Sequence, residues 1–214
     1  MKIIFFKEKR KRKNIIPKVL TTIKRSNKLV QAWHLPKIAN INPRSIYKKV
    51  DEFCIFVKEE EVDIVYMSES HDRWYLTPKG NNQTLNELIN LEDHIVISNP
   101  SQRRGKGGRP ALIVNNKKFQ IQNLTQTKIN MPWGVEIVWA EVTPLVVTLN
   151  STIKKIIVVS LYCEPNSRKK TALLDHIAEV YQTMCAKYSK GLHWILAGDF
   201  NDLKDQRILS ISAL

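Results

Sequence analysis

Apolar residues along this chain follow two spacings, one typical of strands and the other typical of helices. Eight short stretches are either continuously apolar or alternate apolar with polar residues, and we predict a strand for each of them. These stretches are residues 38–41, 62–67, 94–98, 111–114, 119–124, 135–142, 156–162 and 192–197. The stretch at 156–162 is almost wholly β-branched, which indicates a strand buried on both faces.

Two longer segments have apolar residues three or four positions apart, as on one face of a helix. The first follows Ser45, a candidate N-cap, and has a single apolar stripe. That stripe consists of Ile46, Val50, Phe53 and Val57. The second covers residues 168–187 and is ended by Gly191. Residues 71–93 are polar and irregular, so we predict a loop excursion there with one short helix near 85–91.

Several of the predicted strands follow one another too closely to leave room for a crossover helix. This order is typical of antiparallel neighbours, whereas a doubly wound parallel sheet needs a helix between successive strands. We therefore predict an α+β fold in which two packed mixed β-sheets are flanked by helices.

Charge divides the 214-residue chain into two parts. Residues 1–37 hold twelve of the 34 basic side chains but only one of the 20 acidic ones, so most of the net charge of +14 is N-terminal. We expect a flexible basic arm at residues 1–35 and a folded domain at residues 36–214. The arm contains a basic run of the kind that binds nucleic acid or directs nuclear import. That run is Lys9, Arg10, Lys11, Arg12 and Lys13.

Cysteine spacing and apolar run length exclude several classes of protein. Cys54, Cys163 and Cys185 are odd in number and far apart, which argues against a zinc site or a disulfide framework. No apolar run is long enough for a transmembrane helix. The apolar start of the chain is too short for a secretion signal. We expect a nuclear or cytoplasmic protein that is neither secreted nor bound to a membrane.

Polar side chains gather where several predicted strands end. They are Asn42, Glu69, Tyr162, Asp199 and Asn201. Strand ends that meet at one edge of a sandwich can line a single cleft. Carboxylates are the ligands that Mg²⁺ prefers, and this donor set favours metal-assisted hydrolysis of a phosphodiester. Taken singly, each cluster also fits an ordinary turn, in which Asp and Asn bond to their own backbone.

The order and spacing of these clusters resemble the endonuclease/exonuclease/phosphatase superfamily, and within it the apurinic-type endonuclease domain of non-LTR retrotransposons. The matching motifs are Asn42-Pro43-Arg44-Ser45-Ile46, Lys49-Val50-Asp51-Glu52-Phe53, Ser68-Glu69-Ser70, the Gly107-Gly108 turn, Tyr162-x-x-Pro165 and Gly198-Asp199-Phe200-Asn201. The resemblance covers about residues 36–205 and implies a DNase I-like, four-layer α/β sandwich. Family members continue to a terminal Ser-Asp-His, for which none of the five histidines here stands in. We therefore expect a domain that lacks its last strands and a sheet edge open to another segment.

The resemblance also implies a role for each residue of the site. Glu69 corresponds to the metal-binding glutamate, and Asn42 to the asparagine beside the metal. Tyr162 corresponds to the tyrosine that contacts the scissile phosphate. Asp199 corresponds to the aspartate that activates or positions the attacking water, and Asn201 to the asparagine that holds the phosphate in the transition state. The implied activity is nicking of DNA with Mg²⁺ or Mn²⁺, with a reverse transcriptase domain in the parent gene as a candidate partner.

Basic side chains near the predicted cleft are candidates for contacts to DNA. Besides the arm they are Arg44, Arg103, Arg104, Lys106 and Arg109. One alternative stays open: a catalytically inactive remnant or a nucleic-acid-binding protein that acts through its basic arm and the loop at 102–109. Such a protein would bind nucleic acid in a strongly salt-dependent way without turnover. A phosphatase of inositol lipids is disfavoured, because the motifs match the retrotransposon type.

Overall fold

The computed structural model describes residues 3–7, 36–70, 75–76, 82–98, 108–125, 136–146, 155–164, 170–188 and 192–201. Within these ranges, strands alternate with short helices in a mixed order. The strands are β1 (Ile3–Lys7), β2 (Ile38–Ile41), β3 (Ile64–Met67), β4 (Tyr75–Leu76), β5 (Asn82–Gln83), β6 (His94–Ser98), β7 (Ala111–Asn115), β8 (Phe119–Asn123), β9 (Glu136–Pro144), β10 (Lys155–Tyr162) and β11 (Leu192–Asp199). The helices are α1 (Val50–Glu59), α2 (Leu85–Leu88) and α3 (Lys170–Lys187), and a 3-10 turn at Tyr47–Lys49 precedes α1.

Two mixed sheets form the frame of the domain. The five-stranded sheet has the order β1-β11-β10-β9-β8, with β1 and β10 both parallel to β11 and the remaining pairs antiparallel. The four-stranded sheet has the order β2-β3-β7-β6, with β2 parallel to β3 and the other pairs antiparallel. The short strands β4 and β5 pair only with each other. The predicted fold class of two mixed sheets with helices is confirmed.

Three apolar clusters stack the elements into four layers. One cluster lies between the sheets and includes Tyr66 and Leu112 from one sheet and Val138 and Val158 from the other. A second packs α3 on the outer face of the five-stranded sheet. The third packs α1 and α2 on the outer face of the four-stranded sheet. Because both faces of each sheet are covered, β3 and β10 are buried along most of their length, as their continuous apolar runs predict.

The N-cap predicted at Ser45 is wrong. Ser45 adopts a left-handed backbone with φ of 88°, and its N–H donates to the carbonyl oxygen of Glu69 at 2.9 Å. The chain then enters α1 through the 3-10 turn. No side chain caps the start of the turn or the start of α1. The predicted stripe of the helix is confirmed, since Ile46, Phe53 and Val57 are buried. A tertiary hydrogen bond has therefore replaced the local capping bond.

The arm predicted at residues 1–35 needs a correction at its beginning. Ile3–Lys7 is not a free tail but a strand, β1, whose five residues pair in parallel with Trp194–Gly198 of β11. Apolar β-forming residues next to the edge of a neighbouring strand favour this pairing. Residues 8–35, and with them the basic run, lie outside the described residues. No helix among the described residues is long and apolar enough to cross a membrane.

Candidate active site

The candidate site lies where the two sheets meet, at the carboxyl ends of two parallel strand pairs. Asn42 directly follows β2, and Glu69 comes two residues after β3. Tyr162 is the last residue of β10, and Asp199 is the last residue of β11. Because β2 runs parallel to β3 and β10 runs parallel to β11, each pair brings its side chains to one edge of its sheet.

A hydrogen bond between side chains joins the two edges. Asn42 Nδ2 donates to Asp199 Oδ2 at 3.0 Å, across 157 residues of sequence. Deeper between the sheets, Ser160 Oγ donates to the carbonyl oxygen of Met67 at 3.1 Å. The strand ends of the two sheets are therefore held together by polar contacts as well as by apolar packing.

Both oxygens of the Asp199 carboxylate have fixed donors. Asn42 donates to Oδ2, and the backbone N–H of Asn201 donates to Oδ1 at 3.0 Å. Asp199 is only 8% exposed, so its orientation is set by these partners rather than by bulk water. Each carboxylate oxygen has a second lone pair, which leaves the group able to accept a hydrogen bond from a substrate water.

Asn201 closes the loop that follows β11. Its backbone is left-handed, with φ of 44°, and its Nδ2 donates to the carbonyl oxygen of Cys163 at 2.6 Å. Cys163 in turn donates its N–H to the carbonyl oxygen of Asp199 at 2.9 Å. These bonds tie the residue after β10 to the residues at the end of β11, so Tyr162 and Asp199 share one rigid support.

Tyr162 lies in a negatively charged environment. Its partial burial, followed by the carboxylates of Glu69 and Asp199 and then of Glu136 and Glu164, raises the pKa of Tyr162 to about 12. The phenol therefore stays protonated at neutral pH and acts as a hydrogen-bond donor. The charges of Glu69, from one sheet, and of Asp199, from the other, therefore both act on this hydroxyl.

Glu69 is held by the loop after β2. Its backbone is left-handed, with φ of 50°, and its carbonyl oxygen accepts the N–H of Ser45. Ile46 makes the equivalent contact one residue further on, donating to the carbonyl oxygen of Ser70 at 3.2 Å. In that loop Asn42 Oδ1 accepts the N–H of Arg44 at 3.1 Å, which fixes the amide that also reaches Asp199.

The donors at the site fit a magnesium ion that keeps most of its water. Glu69 offers a carboxylate, and Asn42 offers an amide oxygen with a second lone pair. Among the described residues, no group of three or more His, Cys, Asp or Glu side chains could enclose a metal ion. Mg²⁺ commonly needs only one or two carboxylates together with substrate phosphate, so this sparse set suits it better than it suits zinc.

The predicted DNA contacts differ in their exposure. Arg44 is exposed, and its left-handed backbone, with φ of 49°, is fixed by Asn42 beside the site. Arg109 is only 8% exposed, so little of it can reach a phosphate on the surface. The other predicted contacts lie outside the described residues. They are Lys9, Arg10, Lys11, Arg12, Lys13, Arg103, Arg104 and Lys106.

One residue near the site was not predicted. Glu136 is the first residue of β9, and it pairs in register with Tyr162, the last residue of β10. Its Oε2 accepts the backbone N–H of Arg109 at 2.9 Å. Because β9 and β10 are antiparallel, the beginning of β9 lies at the same edge as the end of β10. A search of both strand ends at that edge would have found it.

Comparison with known proteins identifies the fold of the chain. No family model and no curated protein matches the sequence. AP endonuclease LMAP from Leishmania major matches with a TM-score of 0.53 and 13% identity, over 76% of this chain and 54% of that one. A functionally unknown conserved protein from Enterococcus faecalis V583 matches with a TM-score of 0.53 and 16% identity, over 82% and 71%. This is the DNase I-like fold.

The DNase I-like fold accounts for the four layers. This chain spans about half the length of the Leishmania enzyme.

Proposed function

We propose that the chain is a divalent-metal-dependent phosphodiesterase, and specifically a DNA-nicking endonuclease of the non-LTR retrotransposon type. The observation that carries the proposal is the bond from Asn42 to Asp199, with Glu69 and Tyr162 beside it. A carboxylate that accepts a proton, a neutral phenol that donates one hydrogen bond and a second carboxylate that binds a metal ion are the groups that this hydrolysis uses. The retrotransposon assignment is supported by the Asn42–Ile46 and Ser68–Ser70 motifs.

The residues divide the reaction between them. Asp199 accepts the proton of the attacking water, and its two fixed donors hold the carboxylate in place as it does so. Tyr162 donates its phenol hydrogen to an oxygen of the scissile phosphate, where negative charge grows in the transition state. Asn201 contacts the same phosphate with its amide.

Glu69 and Asn42 would hold the metal ion on the side of the cleft formed by β2 and β3. When bound, Mg²⁺ or Mn²⁺ neutralises phosphate oxygens, acidifies water and stabilises the leaving oxygen. Around Tyr162, the four carboxylates that raise its pKa also attract such a cation. A polyanionic substrate approaching the same carboxylates needs this compensation of charge.

DNA is the proposed partner. The proposal also includes a reverse transcriptase domain encoded in the same parent gene, and a nuclear location. Arg44 is positioned to contact a backbone phosphate, because it is exposed and its loop is bonded to Asn42. The basic run at Lys9–Lys13 adds sequence-independent attraction that weakens with salt. Substituting these side chains with glutamine tests this better than deleting the arm, since deletion also removes β1.

Nicking of supercoiled plasmid tests the activity. The chain should convert supercoiled to open-circular DNA with Mg²⁺ and stop in the presence of EDTA. Glu69→Gln and Asp199→Asn should each lower the rate by about 100-fold or more, because each removes a charge that the transition state needs. Asp175→Asn is the matched control, since Asp175 is an exposed carboxylate on α3, and it should leave the rate unchanged. Equal nicking by all three variants would disprove the assignment of the site.

A further inference from the structure

Glu136 is packed against the backbone of the loop that precedes β7. Its Oε2 accepts the N–H of Arg109 at 2.9 Å. A side chain at Gly108 would overlap the same carboxylate, so the carboxylate fills the space beside a glycine whose φ is 78°. Only glycine suits both the conformation and the contact, which makes Glu136 and Gly108 a matched pair.

The contact continues from this loop to Glu69. The carbonyl oxygen of Arg109 accepts two hydrogen bonds from Ser70, one from its N–H at 3.2 Å and one from its Oγ at 2.6 Å. Ser70 is fully buried, and it directly follows Glu69. Arg109 and Glu69 both have left-handed backbones, with φ of 63° and 50°. Such conformations are unfavourable for non-glycine residues and persist only where neighbouring contacts hold them.

We propose that Glu136 is a positioning residue for Glu69, acting through the backbone of Arg109 and the two bonds from Ser70. The inference rests on the proposed function, in which Glu69 binds the metal ion. Glu136 belongs to the opposite sheet, so this link sets the metal-binding carboxylate of one sheet relative to Tyr162 and Asp199 of the other. Groups that orient a metal ligand from outside the coordination sphere commonly change affinity or activity by roughly 10- to 100-fold.

Three variants separate positioning from general stability. Glu136→Ala removes the acceptor, whereas Glu136→Gln keeps an acceptor oxygen without the charge. Glu141→Ala is the matched control, because Glu141 lies on the same strand and is buried and bonded to Lys155 and Tyr188. It is five residues from Glu136, or about 17 Å along a strand. All three are compared by urea unfolding.

The first readout is the affinity for Mn²⁺ alone, measured by electron paramagnetic resonance, together with kcat and KM for plasmid nicking. Glu136→Ala should weaken Mn²⁺ binding and lower kcat by roughly 10-fold or more, with KM for DNA unchanged. Glu136→Gln should keep most of the Mn²⁺ affinity and most of kcat. Glu141→Ala should lower the unfolding midpoint without weakening Mn²⁺ binding. Mn²⁺ affinity and kcat that are equal in Glu136→Ala and the natural chain would overturn the inference.

The second readout needs no metal. Amide hydrogen exchange at Ser70 should be faster in Glu136→Ala than in Glu141→Ala, because Ser70 donates to the loop that Glu136 holds. Equal exchange would overturn the positional link. If exchange at Ser70 is faster in Glu136→Ala but the natural chain neither binds Mn²⁺ nor nicks DNA, the link is kept and the proposed function is overturned. If Glu136→Ala does not fold, Glu136→Asp, which keeps the charge but shortens the reach, should show the same losses to a smaller degree.

Discussion

Gly198 of β11 pairs in register with Leu161 of β10, and the Leu161 carbonyl oxygen occupies the space that a β-carbon at Gly198 would need. A β-carbon at this position would overlap that oxygen, and φ of 141° is itself unfavourable for a residue with a side chain. We therefore predict that Gly198→Ala destabilises the fold by about 3 kcal/mol through strain and overpacking. Urea unfolding measures the change.

The neighbouring residue provides the control for this prediction. Ala197→Gly removes one methyl group from the fully buried position next to Gly198, where Gly198→Ala adds one. It should cost about 1 kcal/mol through added backbone freedom and a small cavity. A loss of stability for Gly198→Ala no greater than that of the control would contradict the steric argument.

Asn42→Asp should change how the activity depends on pH. It places a second carboxylate where an amide now donates to Asp199 at 3.0 Å. Like charges at this distance raise the pKa of the pair, so the acid limb of the pH–rate profile should move to higher pH. Stability should then fall as the pH rises and the pair ionises. Asn42→Ala loses the same hydrogen bond without adding charge, so its acid limb should move less than that of Asn42→Asp.

Tyr162→Phe should lower kcat for nicking by roughly 100-fold, because the variant lacks the hydrogen-bond donor to the phosphate. In the natural chain burial and nearby carboxylates raise the pKa of Tyr162 to about 12. The phenol therefore favours folding below pH 10, the ordinary tyrosine value, and this contribution is lost as the pH rises toward 12. Between pH 9 and 12 the free energy of unfolding should fall less steeply with pH for the variant than for the natural chain. Identical pH dependence would show that Tyr162 is not the titrating group.

His176→Phe should lose less stability than the natural chain when the pH is lowered. His176 on α3 is only 2% exposed, and neither ring nitrogen has a hydrogen-bond partner among the described residues. Burial lowers the pKa of His176 below its ordinary value of about 6.5. The unfolded chain therefore takes up the proton first, and stability falls as the pH drops through 6.5 and below.

Urea unfolding at pH 7.5 and pH 5 measures this loss. His94→Gln is the comparison, since His94 Nε2 already has a partner in the carbonyl oxygen of Val62. An acid loss as large in His176→Phe as in the natural chain would rule out His176 as its source.

Most strands and the main helices could be predicted because their signals are local. The continuous apolar runs of β3 and β10 and the helical spacing of Ile46, Phe53 and Val57 each lie within a dozen residues. Ser45 failed because its backbone bonds to Glu69, which is far along the chain. The apolar run at Ile3–Phe6 was visible in the sequence, but its pairing depends on the edge of β11, which lies far along the chain.

The grouping of the polar side chains at the candidate site could be predicted, because parallel strands bring their carboxyl ends to one edge of a sheet. This rule brings Asn42 and Asp199 into contact despite their separation in sequence. It also explains why Glu136 was overlooked, because in an antiparallel neighbour the residue at that edge begins the strand. Arg109 was taken for a surface cation on charge alone, but its backbone bonds to Glu136 and Ser70 bury it in the loop.

The pairing of β1 with β11 has a consequence for the order of folding. About 190 residues separate Ile3 from its register partner Trp194, so this contact closes a very long loop. We expect a contact of such separation to form late, after strands that are nearer in sequence have paired. During synthesis the apolar Ile3–Phe6 segment leaves the ribosome about 190 residues before its partner on β11 exists.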